Sequence, residues 1–255
     1  MEWEFNLLKK TIKELLNFDP DNYKERPFKR RLNSRMRSLK VTSYAEYARI
    51  IRTDKEELER LKNALTINVT KFFRNREVFK IIQREILPEL DEPVDIWSAG
   101  CATGEEPYTL AIILLEARKK GRILATDVDE QAIEKAKRGV YNEFSFEETP
   151  YFIKTKYFDR SGDNYIINER VKEMVEFQVQ DLKELFSFHR LFDIILCSNV
   201  LIYFSKDFQE ELMKEFYRRL KSGGYLILGK VEGMFGQNVK LFRPYNLRER
   251  IYRKA

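Results

Sequence analysis

The stretch that most constrains this chain is residues 95–108, DIWSAGCATGEEPY. Asp95-Ile96-Trp97 reads as a buried strand that runs into a turn at Ser98-Ala99-Gly100. Pro107 then stands where a helix can begin, ahead of the apolar run at 108–115. A glycine-bearing loop between a strand and a helix usually cradles a phosphate on backbone N–H groups at the helix N-terminus. Here the loop carries two acids, Glu105 and Glu106, and it lacks the G-x-G-x-x-G spacing of a dinucleotide loop.

From residue 94 onward the pattern alternates strands and helices. Strands are predicted at 94–98, 122–126, 174–179, 192–197 and 224–229, with helices near 107–119, 129–138 and 206–220. Such short β-α-β spacing predicts a doubly wound, mostly parallel α/β sheet with helices on both faces. The C-terminal LFRPYNLRERIYRKA is expected to add an antiparallel edge strand. Residues 150–173 break the rhythm, and a turn at Ser161-Gly162-Asp163-Asn164 between two strand-like arms predicts a small antiparallel β insertion. Residues 1–65 read as a small all-helical domain. Leu8, Ile12, Leu15 and Leu16 share one face, Ser43 and Glu46 form a capping box, and a charged helix covers about 54–65. Residues 66–93 are a linker and covering helix, leaving 94–255 as the catalytic domain.

Asp127 ends the second strand, at a position suited to the ribose hydroxyls of an adenosine cofactor. The alternative is that it caps the next helix, although Asp129 is the better N-cap candidate. A pyrophosphate beside Glu105 and Glu106 would cost several kcal/mol in a low-dielectric cleft. S-adenosylmethionine carries no phosphate. It has an adenosine, a cationic sulfonium and an amino-acid tail whose ammonium an acid attracts. One of the two glutamates is expected to serve the helix dipole and the other to bind. Ser198-Asn199 close the fourth strand as a polar pocket, Asp181-Leu182 stand where the adenine would be flanked, and Tyr203 lies just beyond, either functional or packed with Phe204. TINVTKFFRN, residues 66–75, is dense in hydrogen-bonding groups such as Asn68, Thr70 and Arg74.

Composition narrows the classes. The net charge of +6 suggests an acidic partner or nucleic acid. Cys101 and Cys197 have no metal-ligand spacing and suggest a reducing cytoplasm, with no metal expected. No apolar run is long enough to span a membrane, and the N-terminus does not resemble a signal peptide.

Taken in order, TINVTKFFRN, WSAGCATGEEPYTLA, ATDVDEQAIEKAKRGVY and DIILCSNVLIYFSKDFQEELMKEFYRRLKSGGYLILG resemble the chemotaxis receptor glutamate methyltransferase family over about residues 66–230. The segment KRRLNSRMRSL is similar to that family's N-terminal domain. The resemblance implies a class I, Rossmann-like methyltransferase in the cytoplasm. It would transfer a methyl group from S-adenosylmethionine to glutamate side chains on the acidic, Gln-rich helices of a chemoreceptor cytoplasmic domain, leaving S-adenosylhomocysteine. By motif position, Asn68, Thr70, Arg74, Glu106, Asp127, Asp181, Leu182, Ser198 and Asn199 would contact the cofactor, with Arg74 and Tyr203 nearest the transferred methyl. This chain departs from the family in two places. Ser198 replaces the usual Arg, and Gly229-Lys230-Val231-Glu232 replaces a Gly-His-Ser-Glu run.

An ionised glutamate acceptor needs no general base. The only histidine, His189, falls outside every motif. Arg31 and Arg35, four apart on a basic helix, are expected to dock the acidic receptor. The insertion turn looks shorter than in family members that bind a receptor C-terminal pentapeptide, so a tether-independent enzyme, expected as a monomer, is predicted. Competing readings are a nucleic-acid methyltransferase, for which the Asn-Pro-Pro-Tyr type motif is missing after the fourth strand, and a non-catalytic sensor of S-adenosylmethionine.

Overall fold

Apolar residues at helical spacing build the first of two units. α1 (Glu2–Leu16), α2 (Glu25–Ser38), α3 (Tyr44–Thr53) and α4 (Lys55–Leu65) turn Leu8, Ile12, Leu32, Tyr47, Ile51 and Leu61 into one shared core. α1 packs on α3, and α2 on α4. Ser43 caps α3 by accepting from Glu46 N–H at 3.3 Å. The segment Tyr203–Gln209 belongs with this unit, which otherwise comprises Met1–Asn68. Within it, Tyr23 meets the Phe204 ring edge-on at 5.2 Å, and Lys24 N–H donates to the Tyr203 carbonyl at 2.9 Å. The computed structural model describes residues 2–16, 20–65, 70–183, 190–234 and 236–255. Asn68 and His189 lie outside the described residues.

The second unit holds the sheet. Its strands are β1 (Val94–Ala99), β2 (Gly121–Asp127), β3 (Val140–Asn142), β4 (Phe158–Ser161), β5 (Asn164–Ile167), β6 (Val175–Val179), β7 (Phe192–Cys197), β8 (Leu220–Leu228), β9 (Phe242–Asn246) and β10 (Ile251–Lys254). Seven of them form one sheet in the order β6-β2-β1-β7-β8-β10-β9. The first five of that order run parallel, and β10 and β9 close the edge antiparallel. Every residue of β1 and of β7 is buried, as expected of strands covered on both faces. Trp97 is fully buried and satisfies its indole N–H on Thr126 Oγ1 at 2.9 Å. The chain leaves β1 toward β2 on one side and reaches β7 on the other, so the order reverses between β1 and β7. A ligand crevice opens at the carboxyl ends of such a pair.

The remaining helices follow this frame: α5 (Arg76–Ile81), α6 (Glu105–Glu116), α7 (Glu130–Arg138), α8 (Tyr151–Tyr157), α9 (Glu169–Lys172) and α10 (Lys206–Arg219). Three details differ from the sequence-based expectation. Residues 151–157, expected as a strand-like arm, are the helix α8, because Ile153 and Tyr157 are buried at a spacing of four rather than two. The insertion is three-stranded, in the order β3-β5-β4, with Val140–Asn142 supplying the extra strand. The C-terminus forms a pair of strands rather than one.

Candidate functional site

The loop after β1 is shaped by close approach. Gly100 has φ +82°, and a Cβ there would lie 2.4 Å from Val200 Cγ2 in the turn after β7. The two turns therefore interlock at the switch point, and only glycine permits it. Gly100 and Cys101 N–H both donate to Thr126 O, at 2.8 and 2.9 Å, which pins the loop to the end of β2. Ala102 holds φ +47°, a strained conformation for a residue with a Cβ, of the kind that collects at ligand loops.

Asp127 ends β2 with its carboxylate buried. Its Oδ2 accepts from Ala102 N–H at 2.8 Å, and its Oδ1 from Asp129 N–H at 2.9 Å. The helix cap is Asp129, whose Oδ1 accepts from Gln131 and Ala132 N–H. Asp127 is thus not the cap of α7. It ties the loop to the strand end, and its two oxygens together keep lone-pair capacity beyond their backbone donors. Burial pushes its carboxyl up, with the Asp129 charge adding to the rise, against the pull of backbone bonds from Asp129, Ala102 and Val128.

The two loop acids have separated environments. Glu105 Oε2 accepts from Thr103 Oγ1 at 2.6 Å, and its Oε1 from Ser145 Oγ at 3.2 Å, so it ties the loop to the turn after β3. Glu106 Oε1 accepts from Ser98 Oγ at 2.7 Å, and its Oε2 from the Ser198 hydroxyl. Burial raises Glu106 to about 7, the two serines and Arg74 pull it down, and nearby Glu232 adds to the rise. Ser198, where an Arg was expected from the family pattern, supplies a hydrogen bond to Glu106 in place of a cation.

The post-β7 turn continues with Asn199 at φ +62°. Asp181 Oδ1 accepts from Lys183 N–H at 3.0 Å, and neighbouring Leu182 is buried. Gln180 N–H donates to Asp127 O at 2.8 Å, which places the 180–182 segment beside the end of β2. Three backbone bonds fix the segment that carries Thr70 and Arg74. Phe72 N–H donates to Ser145 O at 2.9 Å, Phe73 N–H to Thr109 Oγ1 at 3.1 Å, and Asn75 N–H to Glu148 Oε2 at 3.1 Å. The Phe72 ring sits between Tyr141, Phe146 and Phe158. Arg74 is exposed, and its charge reaches Glu106.

Tyr203 folds with the helical unit, and its ring is covered by the Arg31 guanidinium, 4.3 Å from the ring centroid. That changes the reading of the basic helix. Arg31 is buried, and its Nη1 donates to Leu65 O. Arg35 pairs through both guanidinium arms with buried Glu57, which also accepts from Tyr47 Oη at 2.7 Å. The expected exposed Arg31–Arg35 row is therefore corrected. Both arginines flank the buried stripe of Phe28, Leu32 and Met36, and the exposed basic stripe of α2 is Arg26, Arg30 and Arg37.

Sequence reasoning missed Glu232. It is buried, and its carboxylate accepts from backbone N–H groups of Gly229, Asn199 and Ile202. Two of these donors, Asn199 and Ile202, lie 33 and 30 residues upstream, so no local pattern reveals the cradle. No group of metal-binding side chains occurs among the described residues.

The donor set suits a cationic adenosine ligand. Buried Asp127 and partly buried Glu106 stand together at the switch point, an environment that repels a pyrophosphate and attracts a sulfonium and an ammonium. A family model for the S-adenosylmethionine-binding domain of CheR methyltransferases matches residues 68–251, and one for their all-alpha domain matches residues 3–66.

The chain belongs to the CheR methyltransferase family.

Among curated relatives, the chemotaxis protein methyltransferase of Borreliella burgdorferi is 34% identical over 233 residues, covering 84% of this chain and 82% of its own. That of Listeria innocua is 31% identical over 238 residues, covering 91% and 90%. A solved TehB-like methyltransferase from Corynebacterium glutamicum aligns over 71% of this chain and 94% of its own. At 15% identity and a TM-score of 0.42 it adds nothing to the assignment. As a CheR family member the chain is an S-adenosylmethionine-dependent methyltransferase, and its product is S-adenosylhomocysteine. No helix among the described residues is long and apolar enough to cross a membrane.

Proposed function

We propose that this protein methylates glutamate side chains on the cytoplasmic helices of a chemoreceptor. The observation that carries the reading is the joint match of both family domains, the all-alpha one included, over residues 3–66 and 68–251. The relatives are named chemotaxis protein methyltransferases.

When bound, S-adenosylmethionine supplies an activated methyl group. The protein's part is to bind and align. Asp127 receives the ribose hydroxyls on the oxygen capacity left by Ala102 and Asp129 N–H. Glu106 faces the ammonium of the amino-acid tail. Ser198-Asn199 and Asp181-Leu182 would line the adenosine side, and Thr70 and Arg74 would cover it. The acceptor carboxylate is already ionised at neutral pH, so no base is required. By motif position, Arg74 would orient that carboxylate and Tyr203 would hydrogen-bond it. A loose contact serves better than a tight ion pair, which would stabilise the ground state. Exclusion of water and in-line alignment supply the rate.

The receptor docks on the exposed stripe of Arg26, Arg30 and Arg37 on α2, at helical spacings of four and seven, complementary to an acidic helix. The β4–β5 hairpin turns through Gly162-Asp163, with Ser161 and Asn164 paired, and this short turn supports a tether-independent enzyme. Incubation with a receptor cytoplasmic fragment and methyl-labelled cofactor tests the reading. Label should appear on receptor glutamates, and a protein that binds cofactor but leaves the receptor unlabelled would make it a sensor instead.

A further inference from the structure

Glu232 sits where the family reading assigns no role, yet its environment is built. Its Oε2 accepts from Gly229 N–H at 2.6 Å and from Asn199 N–H at 2.9 Å, and its Oε1 accepts from Ile202 N–H at 3.2 Å. Leu201 N–H adds to the same cradle. Four backbone donors from two separate chain segments thus converge on one buried carboxylate. Asn199, at φ +62°, turns its N–H inward toward Glu232 and lies in the turn that also carries Ser198 and Val200. Ser198 bonds Glu106, and Val200 packs on Gly100. The other side of the cradle is equally tight. A Cβ at Gly229 would lie 2.6 Å from Glu232 Oε2 and 2.8 Å from Asn199 N. Gly229 is therefore glycine because the carboxylate and the turn meet at its Cα.

We propose that Glu232 is a positioning residue that sets the conformation of the 198–202 turn, and through it the placement of Ser198 and Asn199 for cofactor binding. Without the carboxylate, several N–H groups that converge on one buried point have no shared acceptor, and the turn relaxes toward another conformation. The titratable groups that feel the Glu232 charge include Glu106 on α6 and the neutral Cys197 thiol at the end of β7, both of which it helps to push up. No cation is needed to hold the carboxylate, because backbone amides satisfy it. This inference rests on the family reading only for the identity of the ligand.

The test has two arms. In the wild-type protein, amide resonances of Asn199, Ile202 and Gly229 are followed by NMR across acidic to neutral pH. They should move together with one midpoint, and that shared titration should be absent in Glu232→Gln. Calorimetry with S-adenosylhomocysteine is the second arm. Glu232→Gln should weaken binding at least about tenfold, the scale of one lost charge-assisted hydrogen bond. Gly229→Ala, which displaces the same carboxylate, should do likewise. Amides that titrate independently or not at all, or a folded Glu232→Gln variant with wild-type affinity, would overturn the proposal. A wild-type protein that fails to bind S-adenosylhomocysteine would instead count against the family reading, and the amide titration would still decide the role of Glu232.

Discussion

Individual acids in this site differ because of what surrounds them. Glu106 and Glu105 are adjacent, yet Glu105 is held by Thr103 of the loop and by Ser145 after β3, while Glu106 is aimed between the two strand ends. Burial raises Glu106 to about 7. A carboxyl raised in the folded state binds a proton that the unfolded chain has lost. The empty protein therefore loses stability as pH climbs from the ordinary carboxylate range toward 7. Cationic cofactor favours the ionised form, so its binding should expel a proton and strengthen as pH rises through that range. Calorimetry in buffers of differing ionisation enthalpy reads this directly, and Glu106→Gln should abolish the proton release. Asp127→Ala should weaken cofactor binding by about 1.5–3 kcal/mol, the scale of hydrogen bonds to a charged group. It should also lower the melting temperature, since Ala102 and Asp129 N–H lose their acceptor. Unchanged affinity in a folded variant would reduce Asp127 to a structural tie. Tyr203→Phe should leave S-adenosylhomocysteine affinity intact and reduce turnover, and full turnover would remove the hydroxyl from the mechanism.

Elements carry a second set of consequences. On α2 the exposed stripe is the docking candidate, and the inward arginines hold the unit together. Arg26→Glu with Arg30→Glu should raise the apparent KM for receptor, with an effect that shrinks as salt is added. Arg35→Glu should instead destabilise the helical unit by about 3 kcal/mol or more, because it leaves buried Glu57 unpaired beside a like charge. Chemical denaturation separates the two. At the opposite ends of the strands, Asp95 pairs with Arg122, Arg190 and Lys221. Burial works to raise its carboxyl, but the bonds from Arg122 and Arg190 outweigh it and hold Asp95 below its ordinary value. This stabilisation is present above the unfolded carboxylate range and is lost as pH falls through the lower folded value. The element scale also shows what was legible. The runs 94–98 and 192–197 read as strands because burial on both faces leaves them apolar. In sequence α8 resembles a strand arm because Tyr151 and Phe152 mimic one, although both are exposed and only Ile153 and Tyr157 face inward. Spacing alone does not say which face of α2 the apolar stripe occupies, so it does not show that Arg31 is buried and that Arg35 is paired with Glu57. Glu232 was invisible because its partners are amides, which every sequence has.

At the scale of the whole molecule, two units are joined in one chain, and each answers to its own part of the family. The proposed cofactor site belongs to the sheet-bearing unit, where Gly100, Glu106, Asp127 and the post-β7 turn converge. The helical unit contributes the basic stripe of α2 and also contains Tyr203. The central claim, that the molecule esterifies receptor glutamates, is tested most directly by the chemistry of the product. Receptor cytoplasmic fragment is incubated with the protein and methyl-labelled S-adenosylmethionine, recovered, and treated with mild base. A methyl ester hydrolyses and releases its label as volatile methanol, whereas a methylated amine keeps it. The account predicts that receptor-bound label is released quantitatively and maps to glutamate side chains. Base-stable label, or label that appears on nucleic acid and not on receptor, would contradict it.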